Sequence, residues 1–192
     1  MTARFRGCVA CVLCLAGACA QADAKRAPHP EGAPSASAQA VSATAALGEL
    51  AVGQPAPDFS AQDQNGKPVS LAALRGKYVI LYFYPKDETP GCTREASAFR
   101  DAYVALTQRN AVILGVSTDS DESHRAFATN HQLPFTLISD PNGALAAKYG
   151  VPITLRFAKR QSFVIAPDGK LKKIYRAVDV AVHATEVAAD VQ

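Results

Sequence analysis

The chain has 192 residues, 48% of them hydrophobic and 19% charged, which supplies one core of ordinary size and excludes a wholly disordered chain. The net charge is only +3, and Arg4 and Arg6 carry two of those charges, so the body is near neutral and is not built to grip nucleic acid or an anionic membrane. There is no Trp and a single Met, which argues against aromatic stacking platforms and Met-rich grooves.

Four of the five cysteines, Cys8, Cys11, Cys14 and Cys19, lie in residues 1–20. That stretch has a basic start, an apolar run and then small residues, the order of an export signal. The run is shorter than the roughly 20 apolar residues needed to span a bilayer. Ala18-Cys19-Ala20 fits a small-x-small cleavage site with the cut after Ala20, the preferred option, and Ala20-Gln21-Ala22 is a second. LAGAC also resembles a degenerate lipobox, in which case Cys19 becomes the lipidated first residue and the membrane anchor. The expected destination is the bacterial periplasm. Cys8, Cys11 and Cys14 have CxxC spacing, but inside a greasy run with no second ligand pair they are simply small hydrophobes. Residues 21–50 are rich in Ala, Pro and Ser, with no sustained apolar face, and are expected to form a flexible tether.

The folded domain is expected over 51–192. Asn65-Gly66 signals a turn, with a short strand over Val69–Leu71. Tyr78 to Pro85 is a continuous β-branched and aromatic run, the pattern of a buried central strand. A helix is expected from near Cys92, where Ala96, Phe99, Tyr103 and Leu106 recur at three- and four-residue steps. Ala111 to Ser117 gives a second buried strand. A helix follows, capped by Ser120 or Asp121. FTLIS is a third strand, Asp140–Gly143 a turn, and ALAAKYG a short helix. Residues 161–177 predict a hairpin about Asp168-Gly169, and a closing helix runs over Val180–Val191. Strands alternating with helices, plus one late hairpin, give an α/β fold of thioredoxin-like layout: a mixed central β-sheet with helices on both faces.

Once residues 1–20 are removed, Cys92 is the body's one cysteine apart from a lipidated Cys19, so no internal disulfide is open to it. It follows a strand, a proline-rich loop and a glycine, and it opens a helix. A thiol there faces unpaired N–H groups and the positive end of the helix dipole, both of which favour the nucleophilic thiolate. Thr89 stands three residues earlier, and Arg94 and Arg100 follow.

Pro85-x-x-x-Thr89-x-x-Cys92 is similar to the active-site pattern of the peroxiredoxins. The string YPKDETPGCTREASAFRD resembles the peroxiredoxin Q branch, also called bacterioferritin comigratory protein. Further matches are APDF, GVSTDSDESH, FTLISDPNGALAAKYGV and KRQSFVIAPDGK, spread over roughly Val52 to Val187. The resemblance implies a thiol peroxidase without metal or cofactor. Cys92 would attack the O–O bond and become a sulfenic acid. Thr89 and the N–H groups of the Gly91–Cys92 turn would hold the peroxide oxygens, Pro85 would shield the site, and Tyr84 would line the pocket. Arg160, just before the penultimate strand, matches the family's arginine and would stabilise charge on the departing oxygen.

One position departs from the branch. Many members carry a resolving cysteine five residues after the peroxidatic one, and here that residue is Ser97. A one-cysteine cycle is therefore expected, with the sulfenic acid reduced by thioredoxin, glutaredoxin or glutathione and with sulfinic acid as a standing risk. The resemblance favours a monomer. A thioredoxin-type oxidoreductase would need a cysteine at Glu95, and a copper chaperone of this fold one at Ala96. A non-turnover peroxide sensor or redox partner-binding module is the rival. His124, His131 and His183 are taken as surface or helix-face residues, and Asp119, Asp121 and Glu122 as a solvated helix start.

Overall fold

The computed structural model describes residues 49–191. The expected export segment, 1–20, and the expected tether up to residue 48 lie outside them. Strands β1 (Ser60–Gln62) and β2 (Pro68–Ser70) form an antiparallel hairpin. Asp63 accepts from the N–H groups of Asn65 and Lys67 at 2.8 and 2.9 Å, which pins the Asn65-Gly66 turn. A 3-10 turn over Ala72–Leu74 leads into β3 (Tyr78–Phe83). Then come α1 (Pro90–Gln108), β4 (Ala111–Ser117), α2 (Asp121–Asn130), β5 (Thr136–Ser139) and α3 (Ala144–Lys148). A small hairpin, β6 (Ile153–Thr154) and β7 (Phe157–Ala158), precedes β8 (Gln161–Ile165), β9 (Leu171–Tyr175) and α4 (His183–Asp190).

The main sheet has the order β5-β4-β3-β8-β9. β3, β4 and β5 run parallel, while β8 is antiparallel to β3 and β9 to β8. The period-2 alternation of a strand sorts β3 between two cores. Val79, Leu81 and Phe83 join Leu114, Val116 and Phe163 under α3 and the β1–β2 hairpin. Ile80, Tyr82 and Tyr84 join Phe99, Leu137 and Val164 under α1, α2 and α4. A central strand buried on both faces explains the unbroken apolar run, each fully buried large side chain contributing about 2 kcal/mol. This is the expected mixed sheet with helices on both faces.

Two boundaries differ from expectation, and one hairpin was not expected. β3 ends at Phe83: the Tyr84 N–H makes the last ladder bond to β4, to Val116 O at 3.0 Å, and Pro85 has no N–H to continue it. The closing helix begins at His183 rather than Val180. The β6–β7 hairpin turns through Leu155 and Arg156, at φ 50° and 70°, with no Gly or Asn to announce it. Gly115 has a packing reason: a Cβ there would stand 2.7 Å from the Tyr82 hydroxyl and 2.8 Å from Leu137, so only glycine lets Tyr82 lie beneath β4.

Candidate active site

The loop from Tyr84 to Thr89 carries the chain from β3 into α1. Thr89 is the N-cap residue at φ −81°, ψ 146°, and Pro90 occupies the first helical position, where a missing N–H costs nothing. Cys92 is therefore the third residue of α1. The first backbone bond of the helix is Thr93 N to Thr89 O at 2.9 Å, so the N–H groups of Gly91 and Cys92 precede the helical ladder and point to its open end. That end collects negative charge, the property a thiolate and a peroxide anion share.

Two clamps set the loop against α2. Asp87 is buried and accepts from Tyr84 Oη at 2.7 Å and Ser123 Oγ at 2.7 Å, with His124 Nδ1 at 2.9 Å. Burial alone would raise its carboxyl, but the bond and charge of His124, with Ser123 and Tyr84, outweigh it and hold the group below its ordinary value. Its backbone N–H donates to Asp119 Oδ2 at 2.8 Å. Glu88, held at φ 60°, reaches Asn130 at 3.0 Å and His131 at 2.8 Å at the far end of α2. Tyr84 thus supports the loop from behind: its hydroxyl is committed to Asp87 and its ring stacks on Tyr82 at 5.4 Å.

Cys92 is 2% exposed. Arg160, two residues beyond β7, donates from Nη2 to Cys92 Sγ at 3.2 Å, and its Nη1 pairs with Glu95 Oε2. One guanidinium thus grips a carboxylate and the sulfur with separate N–H groups, a use of its fork that a lysine lacks. Burial would lower the Arg160 ionisation; the negative fields of Glu95 and then Cys92 raise it instead. A Cβ on Gly91 would stand 3.5 Å from Nη2, so the glycine leaves that flank of the guanidinium open. Thr89 donates its hydroxyl to Lys86 O at 3.0 Å, which leaves its oxygen lone pairs as acceptors for a peroxide O–H. Pro85 is half-buried at the head of the loop.

The structure corrects several expectations about charged residues. Glu95 is a buried member of the site, 1% exposed, and burial raises it to about 7 although Arg160 pulls the other way. His124 and His183 are fully buried, not surface residues. His124 belongs to the Asp87 clamp. His183 Nε2 sits 2.8 Å from Ser162 Oγ and 3.9 Å from Glu95 Oε1. Arg100 is paired with Asp101 at 2.9 Å and donates to His131 O at 3.0 Å. Asp119, half-buried, accepts from the backbone N–H of Asp87 and from Ser117 Oγ. Among the described residues no cluster of His, Cys, Asp and Glu could hold a metal ion. Glu95 had a sequence signal, since it lies three residues after Cys92 beside Ala96 and Phe99 on the apolar stripe, where a carboxylate is out of place unless paired.

A buried thiol in the first turn of a helix capped by Thr89, and gripped by a guanidinium, is equipped for nucleophilic attack on a small polar oxidant. That is the site of a thiol peroxidase. The chain matches the AhpC/TSA family over residues 52–174 and belongs to it. It is 43% identical over 145 residues to the putative peroxiredoxin bcp of Coxiella burnetii (strain RSA 493 / Nine Mile phase I), covering 72% of this chain and 96% of that one. The crystal structure of peroxidoxin BcpB from Mycobacterium tuberculosis superposes with a TM-score of 0.69 at 34% identity, over 74% of this chain and 96% of that one. A yeast mitochondrial 1-Cys peroxiredoxin, described in terms of thiol resolution via glutathione/thioredoxin systems, gives 0.64 at 26% identity over 72% and 73% of the two chains. The resemblance to the peroxiredoxin Q and bacterioferritin comigratory branch holds, and with it the thioredoxin-like fold and a thiol-dependent peroxidase activity.

Proposed function

We propose that this peroxidase runs a one-cysteine cycle on Cys92. The thiolate attacks the nearer oxygen of hydrogen peroxide or an organic hydroperoxide. The O–O bond breaks, the sulfur is oxidised to sulfenic acid, and the departing oxygen takes a proton to leave as water or an alcohol. An external thiol then displaces water to give a mixed disulfide. A second thiol releases Cys92 and leaves as the oxidised disulfide. The observation that carries the reading is the contact of Arg160 with Cys92 Sγ, in a body whose Ser97 offers no resolving sulfur. The reductant is thioredoxin, glutaredoxin or glutathione, and the yeast 1-Cys relative favours such a partner. With Cys92 2% exposed, a protein reductant needs the first turn of α1 to open, whereas a small thiol needs less.

The basic, apolar and small-residue start of the chain supports export to the periplasm, with Cys19 as the alternative lipid anchor. The peroxiredoxin Q resemblance supports a monomer.

The test uses the full chain carrying Cys8→Ser, Cys11→Ser, Cys14→Ser and Cys19→Ser, mixed with equimolar hydrogen peroxide beside a Cys92→Ser control. Thiol loss is followed by stopped flow and the product by intact mass. The expected result is loss at least ~1,000-fold faster than a free thiol, with one oxygen added and then removed by excess glutathione or thioredoxin over repeated turnovers. One fast oxidation without turnover under any thiol would make the chain a sensor.

A further inference from the structure

His183 lies behind the active site on α4, and the peroxidase chemistry does not call on it. Its ring is fully buried, with edge-on contacts to Phe99 at 5.5 Å and Tyr175 at 4.9 Å. Two polar groups reach it from two other elements. Nε2 is 2.8 Å from Ser162 Oγ on β8, and 3.9 Å from Glu95 Oε1 on α1. Among the described residues, His183 Nδ1 and Glu95 Oε1 have no hydrogen-bond partner. A buried carboxylate oxygen therefore faces one nitrogen of a buried imidazole. From β3 the Tyr82 hydroxyl, also buried and without a hydrogen-bond partner among the described residues, is kept neutral by burial and then by the negative charge of Glu95.

The state of the ring follows from its surroundings. Burial, and then the positive charge of Arg160, push the imidazole down to about 4, so it is neutral near pH 7 and carries one N–H. A proton on Nδ1 would leave a buried donor orphaned. A proton on Nε2 leaves only a lone pair orphaned, the cheaper arrangement. The Nε2–H then donates to Ser162 Oγ and turns its positive end toward Glu95 Oε1. The other ionisable groups nearby do not compete for it. Tyr175 donates its hydroxyl to Asp190 at 2.5 Å, Glu186 is exposed, and Arg160 is held by Glu95 and Cys92.

We infer that His183 is a positioning residue of the peroxidase: as a neutral Nε2–H imidazole braced on Ser162, it keeps the Glu95 carboxylate ionised and turned to Arg160, and thereby keeps Arg160 on the sulfur of Cys92. Burial raises Glu95 to about 7, so the donors that face its carboxylate bear on its charge state near neutral pH. The relation deepens the proposed activity at that site and rests on it. Two of its readouts need no turnover, so failure of the reductant cycle and failure of this inference are told apart.

The experiment uses the full chain with the four N-terminal cysteines replaced by serine and its glutamates labelled at the side-chain carboxyl. The Glu95 titration is read by carbon-13 NMR, assigned with Glu95→Gln, in the parent, His183→Phe and His183→Gln. Phe keeps the ring volume without the N–H, and Gln keeps an N–H. The expected result is that His183→Phe moves the Glu95 midpoint up by about one pH unit and slows Cys92 oxidation at pH 7 about tenfold, while His183→Gln recovers most of both. An unmoved Glu95 midpoint in His183→Phe, whatever the rate or melting temperature does, would reduce His183 to packing and overturn the inference. So would a Gln variant that behaves as Phe does. Should the Phe variant not fold, nitrogen-15 NMR of the parent decides: a neutral Nε2–H ring whose shift follows the Glu95 titration is expected, and an Nδ1–H or protonated ring at pH 7 overturns it.

Discussion

Arg160 Nη2 lies 3.2 Å from Cys92 Sγ across 68 residues of sequence, and Nη1 of the same guanidinium holds Glu95, three residues along the helix that carries the thiol. The arginine, the residue before β8, thus ties that entry to α1 at two points on one helical face, Cys92 and Glu95 being neighbours at i and i+3. Its position depends on both contacts. The sulfur's charge changes through the cycle, so the carboxylate is the part of the grip that persists.

Arg160→Lys should therefore slow the reaction of Cys92 with hydrogen peroxide far more than it destabilises the fold. A lysine has one charged nitrogen and will settle on Glu95, the harder anion, leaving the sulfur and the departing oxygen without their donor. The expected loss in second-order rate is about 100-fold, the scale of one oxyanion donor removed. Stopped-flow oxidation beside a urea melt measures both quantities, and a lysine variant with parental rate would remove Arg160 from the mechanism.

Glu95 and His183 tilt the dependence of stability on pH in opposite directions. Glu95 is raised from 4.5 to about 7 on folding, so its contribution is complete below about 4.5 and is lost as pH rises through 7. His183 is lowered from 6.5 to about 4, so its contribution is complete above about 6.5 and is lost as pH falls toward 4. Between about 4.5 and 6.5 the two slopes cancel. In His183→Gln only the Glu95 slope is left. Its stability should fall with rising pH across that window, by up to about 1.4 kcal/mol per unit relative to the parent. Urea unfolding from pH 4 to 8 tests this, and parallel curves would contradict it.

Asp87 is where the loop's fold and the thiol's reactivity meet. Asp87→Ala strands His124 and the Tyr84 hydroxyl in the core without their shared acceptor, and it should cost about 3 kcal/mol. The same change frees the loop that ends in Thr89. Hydrogen exchange at Thr93, whose N–H closes the first turn on Thr89 O, should then speed up more than exchange in β3 or β4. Equal acceleration everywhere would mean that the clamp serves global stability alone.

The strands were legible because burial on both faces leaves no polar residue in Tyr78–Phe83 or in all but the last residue of Ala111–Ser117. The Asp168-Gly169 turn was legible because Gly169, at φ 81°, supplies the backbone that such a turn demands. Cys92, Thr89 and Pro85 stood together in one string, and the structure sets Thr89 and Cys92 at the start of α1. Arg160 needed the family pattern, since no local property separates it from Lys159. The buried histidines were missed for a different reason. His183 with Val187 and Val191, and His124 with Phe127, continue apolar stripes at helical spacing, so the periodicity included them while residue type argued for the surface. Their partners, Glu95, Ser162 and Asp87, come from other elements, and a buried polar network closes only when those elements are packed.

Ser97→Cys restores a sulfur at the position where many members of the branch keep one, and the geometry says how it would behave. Residues five apart on a helix have Cα atoms more than about 7 Å apart and face different sides, so Cys92 and the introduced thiol cannot bond while α1 is intact. Ala96 and Phe99 are fully buried, which ties that stretch of the helix to the core. Mixed with one equivalent of hydrogen peroxide, Ser97→Cys should form the sulfenic acid as fast as the parent does. The intramolecular disulfide should follow in a slower step set by unwinding of the first turns of α1. That step should quicken in urea below the unfolding midpoint and in Asp87→Ala, which loosens the loop before the helix. Under excess peroxide the variant should accumulate less sulfinic acid than the parent, by intact mass, because the disulfide competes with the second oxidation. A disulfide forming as fast as the sulfenic acid, and indifferent to urea, would mean that the first turns of α1 are already open around Cys92.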